Sequence, residues 1–163
     1  MKRSLTNLAR DARGAAIIEM ALAAPVLATL LIGMVDLSRG YSAKLRLEQV
    51  AQRSVEKAMQ GMQGDDSTDI FETLKAEAAA AAGVSESAVT VRYWLECNGV
   101  SQNTNPSTMA ADYETVCPGG QVYARYLNVR IQKTYTPMFR TRWAGANADG
   151  TYTLVGEAGL RVQ

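Results

Sequence analysis

From Ala15 to Val35 the chain is apolar, interrupted only by Glu19 and Thr29 and by the neutral Pro25 and Gly33. About 20 apolar residues in a helix cross the hydrocarbon core of a bilayer, so the run predicts a membrane-spanning helix. Secretory signal cores are shorter, roughly 7–15 residues. No convincing small-x-small cleavage site follows, so the run reads as a retained anchor, with a removable signal peptide as the alternative. Pro25 withholds one backbone donor and is expected to bend the helix. Asp36 and Arg39 mark its far interface.

Helical spacing continues beyond the apolar run. Leu47, Val50, Ala51, Ser54, Val55, Ala58, Met59 and Met62 form one stripe, with Arg53, Glu56, Lys57 and Gln60 largely between them. From Ala15 to Met62 this predicts one helix of about 48 residues, near 70 Å long, ended by Gly61, Gly64, Asp65 and Asp66. Its stripe is expected to pack on a sheet, with contact to other helices in an assembly as the alternative. A second helix is predicted from Asp69-Ile70-Phe71-Glu72, with Ile70, Phe71, Leu74, Ala78, Ala81 and Ala82 as its buried side and Gly83 as its stop.

The remainder alternates. Val89, Val91, Tyr93, Leu95 and Cys97 share one strand face, Leu127, Val129 and Ile131 another, and Tyr152 to Val162 forms a third run. Gly156 and Gly159 in that run predict a bulge. Alternation with one polar face fits an antiparallel sheet covered on one side. Gly99 to Met109 reads as an exposed loop. The aromatic residues Tyr93, Trp94, Tyr123, Tyr126, Trp143 and Tyr152 are expected mostly to fill the core, an adhesive surface being the alternative. The fold class is α+β: a long membrane-spanning helix extending into a globular domain, a second short helix, and a small antiparallel sheet of about three to four strands.

Charge orients this arrangement. Residues 1–14 carry Lys2, Arg3, Arg10 and Arg13 against Asp11, a net +3, while the rest holds 13 basic and 15 acidic residues. The basic end directly precedes the apolar run, which places the amino terminus in the cytoplasm and the bulk of the chain across the membrane. No basic face for nucleic acid is indicated. Histidine is absent, which removes the commonest general base and metal ligand. With no nucleophile motif, phosphate loop or metal cluster, an enzyme is not expected, and neither a metal nor a cofactor is implied. Asp65, Asp66 and Asp69 read as a helix start rather than a cation site. Cys97 and Cys117, in the exported part, are expected to form one disulfide; two free thiols or a shared metal site are the alternatives.

The chemistry concentrates where the basic leader meets the apolar run, at Arg13-Gly14-Ala15-Ala16-Ile17-Ile18-Glu19. An acid in a membrane helix costs about 2.5–3.5 kcal/mol at the centre, so Glu19 asks for a reason. If the chain is cut after Gly14, Glu19 becomes the fifth residue of the product. This is the pattern of type IV pilin-like precursors. Together with Pro25 at the eleventh mature position and Gly33-Met34-Val35-Asp36-Leu37-Ser38-Arg39, it resembles the TadE-like family, minor pilins or pseudopilins of the Tad branch. Tyr126 to Ile131, Tyr135-Thr136-Pro137-Met138-Phe139 and Ala158 to Gln163 are similar to its strand half.

The resemblance implies a pilin-like chain of four parts: a leader over 1–14, a transmembrane helix over 15–35, a helical extension over 36–64 and a periplasmic domain over 65–163. Prepilin peptidase would cut between Gly14 and Ala15. The product would sit in the inner membrane as a single-pass protein, with its carboxy-terminal domain periplasmic, and enter an adherence pilus. Other minor pilins, the major pilin, the assembly platform and inner-membrane lipid would be its partners. Glu19 would pair with the new α-amine of a neighbouring Ala15, and Glu19 and Pro25 would be the assembly residues. The competing readings are an uncleaved single-pass periplasmic scaffold or receptor, and a type II secretion pseudopilin. For Glu19 the plain alternative is that it reaches the nearby cytoplasmic interface, and for Gly14 an ordinary turn before a helix.

Overall fold

The computed structural model describes residues 12–61, 67–102, 113–140 and 144–162. The chain divides into two compact units, Met1–Arg39 and Gly40–Gln163. Helix α1 (Ala12–Gly61) supplies residues to both. It starts three residues before the expected Ala15, which puts Gly14 inside helical backbone.

In the first unit every residue from Ala16 to Leu31 is exposed. A helix that is apolar all round and has no protein cover is what a membrane-spanning segment looks like. The segment is long and apolar enough to cross a bilayer, and none of it is buried. The helix continues through Pro25. The Thr29 hydroxyl donates to the Pro25 carbonyl at 2.6 Å and to the Val26 carbonyl at 2.9 Å. The hydroxyl is thus satisfied within its own helix, as polar side chains in lipid must be.

In the second unit, helix α2 (Ser67–Ala82) is followed by a single 3-10 turn, Glu86–Ala88. Four strands then form one sheet: β1 (Val89–Cys97), β2 (Val100–Ser101), β3 (Tyr123–Tyr135) and β4 (Tyr152–Arg161). The order is β2-β1-β3-β4, and all pairs are antiparallel. The α+β class holds. The short strand β2 follows a reversal at Asn98-Gly99, where both residues take positive φ, 49° and 79°. Asparagine and glycine accept that conformation, so the chain reverses in two residues and Val100 pairs with Cys97. The expected loop from Gly99 therefore begins as a hairpin arm; residues 103–109 lie outside the described chain.

The core lies between the helices and one sheet face. Leu47, Ala51, Val55 and Ala58 of α1 meet Phe71, Leu74, Ala78 and Ala79 of α2 over Val89, Leu127, Val129 and Ile131. The stripe on α1 is a packing face, as expected, with Val50 packed against it and Met59 exposed; Met62 lies outside the described residues. On α2, Ala79 is buried in place of Ala81, which is exposed. That helix ends as Gly83 predicts. With φ +63°, the Gly83 N–H donates to Ala80 O at 3.2 Å, and the Val84 N–H to Ala79 O at 3.0 Å. Lys133 of β3 donates its ammonium to Ala82 O at 3.0 Å, placing a cation at the negative end of α2. Lys57 and Glu77 join α1 to α2 by an exposed ion pair.

Two expectations are corrected. The pairing of β3 with β4 runs without interruption from Tyr126↔Arg161 to Tyr135↔Tyr152, so neither Gly156 nor Gly159 makes a bulge. Gly156 is small because α1 is there: a Cβ on it would come within 2.6 Å of the Leu47 side chain and carbonyl oxygen. The aromatic residues also divide between the two faces. Tyr93 stacks on Phe71 at 4.1 Å, and Tyr113 meets both rings edge-on. Trp94 and Tyr126 instead stack on each other at 5.2 Å on the uncovered face, with the Trp94 indole N–H donating to Glu96. Tyr123 is exposed and Tyr152 half-buried. Trp143 lies outside the described residues.

Candidate processing and assembly site

Gly14, Glu19 and Pro25 lie on one stretch of α1, and Gly14 and Glu19 are both exposed. A Cβ on Gly14 would meet nothing within 4 Å. Among the described residues no packing contact requires glycine at that position. Ala15 belongs to the same helix.

Glu19 is flanked by Ile17, Ile18, Met20 and Leu22, each more than half exposed. An ionised carboxylate in such surroundings is stable only when paired or brought to water. Ala15 and Glu19 are four residues apart, on the same helix face, separated by about 6 Å of rise. After a cut behind Gly14, the amine at Ala15 would lie within reach of a carboxylate of its own helix or of an adjacent one. Before a cut that position holds an uncharged amide.

Cys97 and Cys117 belong to the other unit and are joined there, with Cα atoms 5.7 Å apart. The bridge ties the end of β1 to the segment entering β3. Arg125 reinforces it by donating its Nε–H to Tyr113 O at 3.0 Å. Burial raises the Tyr113 phenol above its ordinary value, with the Arg125 charge opposing. Among the described residues no cluster of three or more His, Cys, Asp or Glu is placed to hold a metal ion. Asp65 and Asp66 lie outside the described chain.

Two features of α1 escaped the sequence reading. One is the Thr29 hydroxyl bonded to the Pro25 carbonyl, whose signal was a Thr four residues after a Pro in an apolar run. The other is Gly40, which lies under the Tyr135 ring; a Cβ there would stand 3.4 Å from a ring carbon.

Residues 14–55 match the family model described as TadE-like protein. This segment is TadE-like. The match begins at Gly14 and takes in Ala15, Glu19, Pro25, the 33–39 stretch and most of the packing stripe of α1. α2 and the sheet lie beyond it. No curated protein and no solved structure matches the chain.

Proposed function

We propose that this chain is a minor pilin or pseudopilin that takes part in assembling a Tad-type adherence pilus. The observation that carries the reading is the TadE-like segment itself, an uncovered apolar helix with a lone glutamate five residues after an unpacked glycine. In this reading a prepilin peptidase cuts between Gly14 and Ala15. The leader leaves, and the α-amine it exposes pairs with Glu19 of a neighbouring subunit. Pairing offsets part of the desolvation both charges suffer near lipid. Because the amine does not exist before the cut, processing licenses assembly. The anchor holds the protein in the inner membrane with the sheet domain in the periplasm. Other minor pilins, the major pilin and the assembly platform are its partners.

The test is the intact mass and amino-terminal sequence of the protein recovered from its native membrane. A chain beginning at Ala15, and at Met1 when the peptidase is removed, is the expected result. A chain beginning at Met1 beside an active peptidase would leave an uncleaved membrane-anchored scaffold instead.

A further inference from the structure

β4 is an outermost strand of the sheet, and its backbone directions follow from one bond. The Val162 N–H donates to Arg125 O at 2.7 Å, so Val162 turns its backbone groups toward β3. Along an antiparallel strand these groups alternate in direction. Leu160, Ala158 and Gly156 therefore turn toward β3 as well, while Arg161, Gly159 and Glu157 turn outward. Among the described residues no strand lies on that outer side. β1 differs, since β2 occupies part of its outer side. Exposed edges are ordinarily blunted by proline, lysine, a bulge or shortness. β4 spans 10 residues, contains neither proline nor lysine, and pairs with β3 without a bulge.

The side chains along this edge carry a matched pattern. Glu157, Gly159 and Arg161 share the uncovered face and are exposed. Glu157 and Arg161 stand about 13 Å apart along the strand, too far to meet within one chain. When two β4 strands pair antiparallel about Gly159, Glu157 of each copy faces Arg161 of the other. These residues all direct backbone groups outward, so the register makes hydrogen-bonded pairs. On the covered face Ala158 comes opposite Leu160 and Gly156 opposite Val162, small against large. Ala158, Leu160 and Val162 are only partly buried in the single chain, and the pairing covers them further. Centring on Glu157 instead would set two carboxylates face to face, which is destabilising. Glu157 already accepts from the Asn128 amide at 3.0 Å, and Arg161 donates to Tyr123 O at 3.4 Å. A carboxylate and a guanidinium each keep capacity for further bonds.

We infer that the outer edge of β4 is an interaction surface whose occupant is β4 of a second copy of this chain, joined antiparallel about Gly159. The two sheets become one. A second copy is favoured over an unrelated strand because the charges of this edge complement themselves. The contact is isologous, so it closes at two copies. Backbone bonds hold the strands together, and the two Glu157–Arg161 pairs fix the register. The contact goes beyond the proposed function and needs no cleavage of the leader.

The experiment uses the full-length protein in detergent micelles. Gly159→Cys puts one thiol at the centre of the pair, and the two native cysteines are joined to each other. Opposed Cα atoms in a hydrogen-bonded pair are about 5.5 Å apart, a span that a disulfide bridges. Mild oxidation is expected to give a covalent dimer on a non-reducing gel, with a 159-to-159 linkage by peptide mass spectrometry. Thr153→Cys is exposed on the same edge, but its two copies would lie about 40 Å apart in this register, so it is expected to stay monomeric. Adding Glu157→Arg to Gly159→Cys should abolish the dimer, and adding Arg161→Glu as well should restore it. Equal cross-linking at 153 and 159, or a dimer indifferent to charge reversal, overturns the inference. Sedimentation of the unsubstituted protein guards against a misfolded variant. Two copies per particle, reduced to one by Glu157→Arg, are expected; one copy per particle overturns the inference.

Discussion

Gly156 on β4 lies directly against Leu47 on α1, leaving no room for a side chain: a Cβ on Gly156 would sit 2.6 Å from the Leu47 Cβ. Both residues belong to regular elements with their own hydrogen bonds, so neither can move aside cheaply. Gly156→Ala is expected to destabilise the domain by about 1–3 kcal/mol through overpacking. Gly159→Ala is the control. Its nearest neighbour is the Asn128 side-chain amide at 3.1 Å, on the uncovered face, and the expected loss is below about 1 kcal/mol. Thermal unfolding followed by circular dichroism compares the two. Equal losses would show that helix contact is not what reserves Gly156.

This contact also shows where the sequence stops being legible. A glycine inside a strand has two ordinary causes, a bulge or a close approach by another backbone. Only the fold distinguishes them, because Leu47 is far up the chain. The helices were readable because α1 carries a 3.6-residue stripe and α2 an alanine run with a glycine stop. The long strands were readable from alternation. The same parity puts Trp94 opposite Tyr93, which argued against counting both as core. The two-residue hairpin was available in Asn98-Gly99 but was hidden by the polar composition that follows it. At the candidate site, the Gly14-to-Glu19 spacing is a property of the chain itself and needed no fold. The Thr29–Pro25 bond needed the helix to be built.

The disulfide closes a stretch with a sequence separation of 20. A loop of that size is expected to stabilise the domain by roughly 3 kcal/mol in the chain-entropy model. Cys97→Ser and Cys117→Ser are each expected to lose that amount, as is the wild type under reductant, and reductant should leave the variants unchanged. Guanidinium unfolding with and without dithiothreitol measures this. A reductant-insensitive wild type would mean that the bridge does not form.

Asp149 gives the second unit a pH response on its acid side. Its Oδ1 accepts from the Thr151 hydroxyl at 2.7 Å and from the Thr151 N–H at 3.1 Å. The hydroxyl bond first, then the backbone bond, holds the carboxyl below the ordinary aspartate value, with Arg140 adding a small pull in the same direction. A carboxyl depressed in the folded state contributes stability above its unfolded pKa, and that contribution is lost as pH falls through the folded value. The loop between β3 and β4 is therefore expected to loosen only in acid, below the ordinary aspartate range. Carboxyl 13C titration by NMR reads the midpoint directly. Thr151→Val, which keeps the backbone donor and removes the hydroxyl, should move the Asp149 midpoint upward; an unmoved midpoint would assign the depression elsewhere.

Glu19 separates processing from assembly. The proposed peptidase meets Gly14 and Ala15, whereas the proposed pairing needs a carboxylate one helical turn further on. Glu19→Gln is close in size at an exposed position, so it has no packing reason to disturb α1. The variant is expected to be cut normally, to remain in the membrane, and to enter pili at least about tenfold less than wild type, because the α-amine of a neighbour is left without its counter-charge. Glu19→Asp keeps the charge on a shorter stem and should recover part of the loss. Mass spectrometry of the membrane fraction reports the cut, and immunoblotting of sheared pili reports incorporation. Normal incorporation of Glu19→Gln would place the carboxylate at the cytoplasmic interface, reaching water rather than a partner. A block in cleavage would instead make Glu19 part of what the peptidase recognises, and the pairing would then have to be tested on protein already cut.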